Sequence, residues 1–254
     1  MLEFFSSSNN VVNTKRAVAE CLENALSPDD TDCDLIIFHT TVGHDFGELL
    51  SEMHHLAPRA RILGCTGAGI IGKEGASETM RSLAVMAIRG PIRDLPIAGI
   101  DSIVGLDPYQ TGVRIATDLK RQNSDVSIVM LFTSPLDILP ANRAIAGIEE
   151  VLGQTTRVIG GSAYDRWFLT NWQFLDDSVF ERGTVAVGFA DPSLEVVMRA
   201  DHGFVPSGEP FTVTRSEGSR VYELDGTQAW RALAARAGVD EGVDPKSAEA
   251  AALW

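Results

Sequence analysis

The hydrophobic positions of this chain form the same succession of patterns twice. An apolar run that ends in polar residues, typical of a buried β-strand, comes first, and apolar residues at three- and four-residue steps, typical of a helix, follow it. A second apolar run containing glycine comes next, and a third closes each copy after a loop. The segments are 34–41, 49–56, 61–67 and 83–88 in the first copy, and 127–134, 145–152, 157–163 and 184–189 in the second.

Two amphipathic segments extend this repeat at its start. Residues 12–26 and 111–120 each have helical spacing, and each precedes the first strand of its copy. The sequence therefore predicts α-β-α-β-β units over about 12–92 and 110–192. We expect an α/β fold with mixed sheets, internally duplicated about a pseudo-twofold axis, with the sheets packed centrally and the helices outside.

The pattern changes after the second unit. Strands are predicted over 194–199, 211–215 and 220–224, and the polar residues 216–219 suit a hairpin turn. A helix over 228–237 ends at Gly238. We expect residues 1–225 to form one domain and 226–254 to be the start of a truncated C-terminal half, or a tail.

Charge narrows the range of partners. The chain has 254 residues, 44% of them hydrophobic, and a formal net charge of −14. Such an acidic chain is not expected to have nucleic acid or an anionic membrane as its main partner, because both need a basic face. No segment has the features of a signal peptide or a membrane span. We expect a cytoplasmic protein.

A glycine-rich segment, residues 67–74, matches two nucleotide-binding patterns at once. It fits G-x-G-x-x-G and also G-x-x-x-x-G-K. Both chemistries need a helix whose first amides face the phosphates. Gly75 and a strand beginning near Ser82 leave too little chain for that helix. We interpret the segment as a glycine-rich turn between two strands.

The ends of the central strands are the better candidates for a ligand site. Residues 64–67 and 160–163 are paired glycine-rich strand exits, and α/β sheets tend to build pockets at such ends. The alternative is that the glycines only permit a tight exit. A polar and aromatic loop over 164–168 could cover such a pocket or pack on the sheet. The candidate ligand-binding residues are His39, Thr40, Thr41, Cys65, Thr66, Gly67, Gly160, Gly161, Ser162, Tyr164, Asp165 and Arg166.

Catalytic and metal chemistry have weak support in the sequence. Cys65 could act as a nucleophile with His39 as its base, but a small buried side chain is the favoured interpretation. With Cys21 and Cys33 it gives an odd cysteine set without C-x-x-C, which suits neither a disulfide framework nor zinc. No H-x-x-x-H or H-E-x-x-H pattern is present. We therefore predict no catalytic residues, no metal site and no enzyme.

Taken in order, these segments resemble the N-terminal half of the FIST domain. The resemblance rests on residues 35–41, 64–72, 83–90, 160–165, 202–203, 211–218 and 221–226. It implies a cytoplasmic sensory input domain that binds a small ligand, such as an amino acid-like metabolite, and acts on a signalling partner such as a kinase or cyclase. Some members resemble haem-binding sensors of nitric oxide. No catalytic triad belongs to the pattern.

The resulting hypothesis is a small-ligand sensor that reports to a separate output protein. No cofactor is firmly implied. The first alternative is a haem-binding nitric-oxide sensor, with His202 or His39 as the axial ligand. The others are a cysteine-dependent enzyme and a scaffold without a ligand.

Overall fold

The structure is a computed structural model, which describes residues 1–134, 140–163, 170–198, 208–218 and 220–244. The chain divides into two compact units, Met1–Val196 and Val197–Trp254. The elements of the first unit are β1 (Glu3–Asn9), α1 (Thr14–Ala25), β2 (Leu35–Thr40), α2 (Phe46–Leu56), β3 (Arg61–Thr66), β4 (Ile70–Gly72), β5 (Gly75–Ser77), β6 (Leu83–Arg89), β7 (Ile97–Ile100), α3 (Pro108–Gln122), β8 (Ile128–Thr133), α4 (Ala141–Leu152), β9 (Arg157–Ser162), β10 (Trp172–Leu175), β11 (Ser178–Glu181) and β12 (Thr184–Phe189).

Two mixed sheets form the centre of the first unit. The larger has six strands in the order β1-β6-β2-β3-β10-β11, and only β2 and β3 are parallel to each other. The smaller has four strands in the order β7-β12-β8-β9, with β8 and β9 parallel. The β9 strand therefore lies at an edge of its sheet.

Three apolar clusters show how the layers pack. The first lies between the larger sheet and helices α1 and α2, and includes Leu22, Phe38 and Met53. The second lies between the two sheets, where Ile37 and Leu63 of one sheet meet Val185 and others of the opposite sheet. A third cluster joins the smaller sheet to α3 and α4. The order of layers is thus helices, sheet, sheet, helices, and the predicted mixed α/β fold is confirmed.

Each copy of the predicted repeat contains a parallel strand–helix–strand element. In the first, α2 connects β2 to β3, and in the second α4 connects β8 to β9. An antiparallel strand, β6 or β12, then pairs with the first strand of each. The internal duplication and its pseudo-twofold axis stay predictions.

The helices differ in how they begin. Side chains cap α1, α2 and α3, where Asn13, Asp45 and Asp107 each accept a hydrogen bond from a backbone amide of the first turn. The residue before α4 is Pro140, and α4 has no side-chain cap. No helix in the described ranges combines the length and apolar character that a membrane span needs.

The glycine-rich segment forms a hairpin of two short strands, β4 and β5, with Lys73 and Glu74 at its turn. No helix follows it, which agrees with the prediction of a glycine-rich turn. A Cβ on Gly72 would collide with the side chain of Ser8, so Gly72 allows the hairpin to lie directly against β1.

The strand predicted over 194–199 is wrong for its described part, residues 194–198, which form no ladder. Leu194 and Val196 still pack against the cluster between the sheets. Val197 is 95% exposed, so the alternation that suggested a strand reflects only a short segment lying on the core. Without a neighbouring backbone to pair with, an extended segment is not a strand.

The described part of the second unit contains an antiparallel sheet and one helix. Its strands are β13 (Val213–Glu217), β14 (Arg220–Leu224) and β15 (Thr227–Gln228), and the helix is α5 (Ala229–Ala237). The predicted hairpin between β13 and β14 is confirmed. The helix ends at Gly238, which has left-handed backbone angles, as predicted.

Candidate functional site

A cavity of about 640 Å³ lies between the two sheets of the first unit. Strands β1, β2, β3 and β6 contribute to it from one sheet, β8 and β9 from the other, and the β4–β5 hairpin forms a further wall. Its lining residues are Ser6, Ser7, Ile37, His39, Cys65, Thr66, Gly67, Gly69, Ile70, Ile71, Gly72, Lys73, Ala84, Val85, Met86, Met130, Phe132, Gly160, Gly161 and Ser162.

The alternation of strand side chains decides which residues face this inter-sheet cavity. Successive residues of a strand point to opposite faces of the sheet. Ile37 packs in the cluster between the sheets, so His39, two residues on, lies on the same face. By the same alternation Leu63 and Cys65 of β3 share that face, as do Met130 and Phe132 of β8.

His39 and Cys65 form a contact pair in the cavity. They are opposite each other in the parallel register of β2 and β3, and the Cys65 Sγ lies 3.3 Å from the His39 Nδ1. Across the cavity, Phe132 packs perpendicular to the imidazole ring, with 4.8 Å between ring centroids.

Burial keeps both members of this pair uncharged near neutral pH. Desolvation raises the pKa of the Cys65 thiol to about 12 and lowers the pKa of the His39 imidazole to about 4. A reactive cysteine needs the opposite shift, toward a thiolate stabilised by a cationic partner. The pair can therefore donate and accept hydrogen bonds but is poorly suited to nucleophilic attack.

Lys73 is the one charged residue among the described residues that line the cavity. It is exposed at the hairpin turn and forms no ion pair with any described residue. Its neighbour Glu74 turns toward β1, where its carboxylate accepts hydrogen bonds from the Ser8 amide at 2.6 Å and the Ser8 hydroxyl at 2.7 Å. Among its described residues, the cavity wall thus carries a cation without a neutralising carboxylate.

The structure brings seven of the sequence-predicted residues to one cavity, and the members of this set are His39, Cys65, Thr66, Gly67, Gly160, Gly161 and Ser162. Thr66 is nevertheless committed elsewhere, because its hydroxyl accepts a hydrogen bond from the Trp172 amide at 3.1 Å. Val158 of β9 packs on the helix face of its sheet. Ser162 is four residues further along the strand, so alternation directs its side chain to the same face.

Thr40 and Thr41 do not line the cavity. Both are buried, the Thr40 hydroxyl donates to the carbonyl of Thr41, and the Thr41 hydroxyl accepts from the Ser82 amide at 2.9 Å. Their hydroxyls hold the end of β2 to the residue before β6. Tyr164, Asp165, Arg166 and His202, which were also predicted as candidates, lie outside the described residues.

Sequence reasoning missed the contribution of the hairpin and of several strand residues. Ile70, Ile71 and Lys73 line the cavity, although the segment was interpreted only as a turn. Ile71 is 89% exposed. The signal available in the sequence was the apolar pair Ile70-Ile71 inside a segment interpreted as a turn. Among the described residues, no group of three or more His, Cys, Asp or Glu side chains is arranged to hold a metal ion.

Comparisons with known proteins identify the family of the chain. A search of curated proteins gave no match. A solved structure described as cyanuric acid hydrolase from A. caulinodans aligns over 74% of this chain and 71% of its own, with 12% identity and a TM-score of 0.34, which is too low to carry any argument. The family model of the FIST N domain matches residues 34–227. The chain therefore belongs to the FIST N domain family, a family of signalling sensors that bind small ligands.

Proposed function

We propose that this protein is a non-catalytic sensor that binds a small organic anion with a mainly apolar body in the inter-sheet cavity. It reports the bound state to a signalling partner such as a kinase or cyclase. The observation that carries the proposal is an apolar cavity of about 640 Å³ whose described lining has one cation, Lys73, and no carboxylate.

The lining favours a ligand with two chemically different ends. Ile37, Met86, Met130 and Phe132 offer apolar and polarisable contacts for a hydrocarbon or aromatic body. Lys73 at the hairpin turn offers a charge to an anionic group. Between these ends, the uncharged His39–Cys65 pair can form a hydrogen bond with a neutral polar substituent.

An amino acid suits this lining less well than a simple carboxylate does. Its carboxylate could reach Lys73, but its buried ammonium group would need a negatively charged hydrogen-bond acceptor such as a carboxylate. No Asp or Glu is among the described lining residues, and Asp165 lies outside the described ranges. We therefore favour a ligand without an amino group.

Haem is the less favoured alternative. His39 is its candidate ligand among the described residues, but Phe132 packs against the ring, with 4.8 Å between the ring centroids. Haem also carries two propionates, against the single described cation of the lining. These residues do not fit haem.

The hairpin is the element through which occupancy would be reported. It lines the cavity with Ile70 and Lys73, and its own sheet contains only β4 and β5. A ligand that contacts these residues would favour the docked hairpin over an undocked one. Such differential binding is what a ligand needs in order to shift a two-state equilibrium.

Fluorescence titration with two matched probes tests the proposal. Anilinonaphthalene sulfonate has an apolar aromatic body and one anionic group, and N-phenylnaphthylamine has the same body without the anion. Both are expected to bind. Lys73→Gln should weaken the sulfonate about two- to fivefold, the scale of an exposed charge pair, and leave the neutral probe unchanged.

Two further variants localise the binding. Gly161→Val adds bulk where a Cβ meets nothing within 4 Å, and should weaken both probes. Lys15→Gln removes an exposed lysine of α1, outside the cavity lining, and should change neither. Sulfonate binding that Lys73→Gln leaves intact, or probe binding unaffected by Gly161→Val, would contradict the proposal.

A further inference from the structure

A second, smaller cavity lies on the other face of β9. Its volume is about 140 Å³, and it is formed where the ends of β8 and β9 meet the start of α4. Thr133 and Ser162 are paired at the ends of the two parallel strands, and Ala141 is the first residue of the helix. The crevice beyond the carboxyl ends of parallel strands is a common place for ligands in α/β sheets.

The start of α4 has unsatisfied hydrogen-bonding capacity. The first amides of a helix have no acceptor within the helix, and side chains usually provide one. Asn13, Asp45 and Asp107 do so for α1, α2 and α3, whereas α4 has no side-chain cap. The Arg143 amide donates to the Pro140 carbonyl at 3.1 Å, so the amides of Ala141 and Asn142 remain to present donors and a partial positive charge.

A second and independent observation is a buried hydroxyl without a partner. Thr133 is 3% exposed, and its Oγ1 forms no hydrogen bond. Leu131 and Thr133 lie on the helix face of the sheet, and both line this cavity. An unpartnered buried hydroxyl costs free energy, and a ligand oxygen would remove that cost.

We propose that the α4 N-terminus and the Thr133 hydroxyl form a second binding site, which takes a small oxyanion: a carboxylate or phosphate group. Amides and a hydroxyl all donate hydrogen bonds, and they suit a group that only accepts them. No Asp or Glu is among the described residues that line this cavity. Arg143 of the same helical turn pairs with Asp107, so this pair adds no net charge.

The size of the cavity limits the ligand. A space of about 140 Å³ holds the oxyanion and a few further atoms, not a nucleotide or a second copy of the larger ligand. Gly160, Gly161 and Ser162 of β9 line both cavities. Thr133 and the start of α4 line only the smaller one, so variants at these positions test this site separately from the function proposed for the inter-sheet cavity.

NMR titration of the ¹⁵N-labelled chain with sodium acetate, and separately with sodium phosphate, tests the site against sodium chloride at equal ionic strength. Saturable shifts of the amides at the start of α4 are expected. Acetate alone would assign a carboxylate and phosphate alone a phosphate group. Absence of saturation by either anion up to about 100 mM would overturn the proposal.

Variants separate a binding site from an uncapped helix. Thr133→Val, which keeps the shape and removes the hydroxyl, should weaken binding about fivefold or more, whereas Thr133→Ser should stay within about twofold of wild type. Pro140→Asp supplies a carboxylate cap like those of α2 and α3, and should abolish binding while raising Tm. Anion binding that survives both Thr133→Val and Pro140→Asp would also overturn the proposal.

Discussion

A thiol and an imidazole in contact usually suggest catalysis, but burial reverses that expectation for Cys65 and His39. Proton transfer from Cys65 to His39 would create two charges in a poorly solvated place. The raised pKa of the thiol and the lowered pKa of the imidazole both express this cost. The pair is better suited to recognising a neutral polar group than to attacking a substrate.

Alkylation rates test this view of Cys65. Burial raises the pKa of Cys21, Cys33 and Cys65 to about 12 in each case. In the native protein near neutral pH, iodoacetamide should therefore label Cys65 no faster than the other two, as followed by peptide mass spectrometry. The denatured chain, in which all three should react quickly, is the control. Selective rapid labelling of native Cys65 would restore the nucleophile hypothesis.

Neighbouring glycines in β9 are expected to differ strongly in how much stability the same substitution removes. Gly160 has a φ of 133°, and a Cβ there would collide with the Leu131 carbonyl, whereas a Cβ on Gly161 meets nothing within 4 Å. Gly160→Ala should lower the free energy of unfolding by about 2 kcal/mol or more, and Gly161→Ala should change it by less than about 0.5 kcal/mol. Urea unfolding measures both, and equal effects would contradict the geometry.

At the residue scale, the sequence identifies the right strand ends but not which side chains face inward. His39, Cys65 and Gly161 lie on the inter-sheet faces of their sheets, whereas the side chains of Thr66 and Ser162 are directed to the helix faces. Both faces of β2 and β3 are buried in apolar clusters, so these two strands show no alternation of polar and apolar residues. The sequence pattern therefore does not show which of these residues face the cavity.

The β4–β5 hairpin shows how one element can match a nucleotide motif for unrelated reasons. Gly72 is required by its close approach to Ser8, and Glu74 accepts hydrogen bonds from that same residue. Although partial desolvation raises the pKa of Glu74, the hydrogen bonds from Ser8 and Ser7 leave it below its ordinary value. The carboxylate is thus an anchor for the hairpin.

Limited proteolysis tests this anchor, because trypsin cleaves after lysine and Lys73 is at the turn. Glu74→Gln removes the charge that the Ser8 amide and hydroxyl bind, so the hairpin should undock more often and be cut faster after Lys73. Glu23→Gln, at an exposed position of α1, is one control. The unfolded Glu74→Gln chain is the second, because it shows how much faster trypsin cuts once the acidic residue after Lys73 is gone. An unchanged cleavage rate would show that other contacts hold the hairpin.

At the element scale, long periodic segments are predictable and short pairing strands are not. The helix predicted over 12–26 is found as Thr14–Ala25, and the strand over 184–189 is found with the same bounds. Strands β1, β7 and β10 were not predicted, since each is defined by a distant partner rather than by its own composition. The strand predicted over 194–199 shows the opposite error, because its composition suits a strand but its described part has no pairing partner.

The whole first unit depends on contacts between its two sheets, and Asp191 makes a polar one. It follows β12 of the smaller sheet and accepts a hydrogen bond from the Leu2 amide, next to β1 of the larger sheet, at 2.8 Å. Hydrogen bonds from the hydroxyl and amide of Ser193, and then that from Leu2, lower the pKa of Asp191 to about 2. This carboxylate is therefore charged over the whole neutral and mildly acidic range.

The sign of this shift fixes the pH dependence of unfolding. A carboxylate whose pKa is lower in the folded state than in the unfolded chain stabilises the folded state at pH values above the unfolded pKa. This contribution is lost as the pH falls toward the folded pKa. Asp191→Asn should therefore lower the urea midpoint by a constant amount above about pH 5, and by a shrinking amount below about pH 4. Asp29→Asn, at an exposed aspartate in the loop after α1, should show no such trend. A pH-independent difference for Asp191→Asn would contradict the assignment.

Lys73 also has a consequence for how fast a ligand enters. The cation acts on a bound anion over a few ångströms, whereas the net charge of −14 repels an approaching anion over roughly the Debye length, about 10 Å at 0.1 M salt. Added sodium chloride screens the long-range repulsion. The association rate constant of an anionic ligand, measured by stopped flow, should therefore rise with ionic strength. Ligands that are attracted by an opposite charge show the reverse, because added salt lowers their association rate constant. Entry would then be governed by the whole surface, and retention by one side chain.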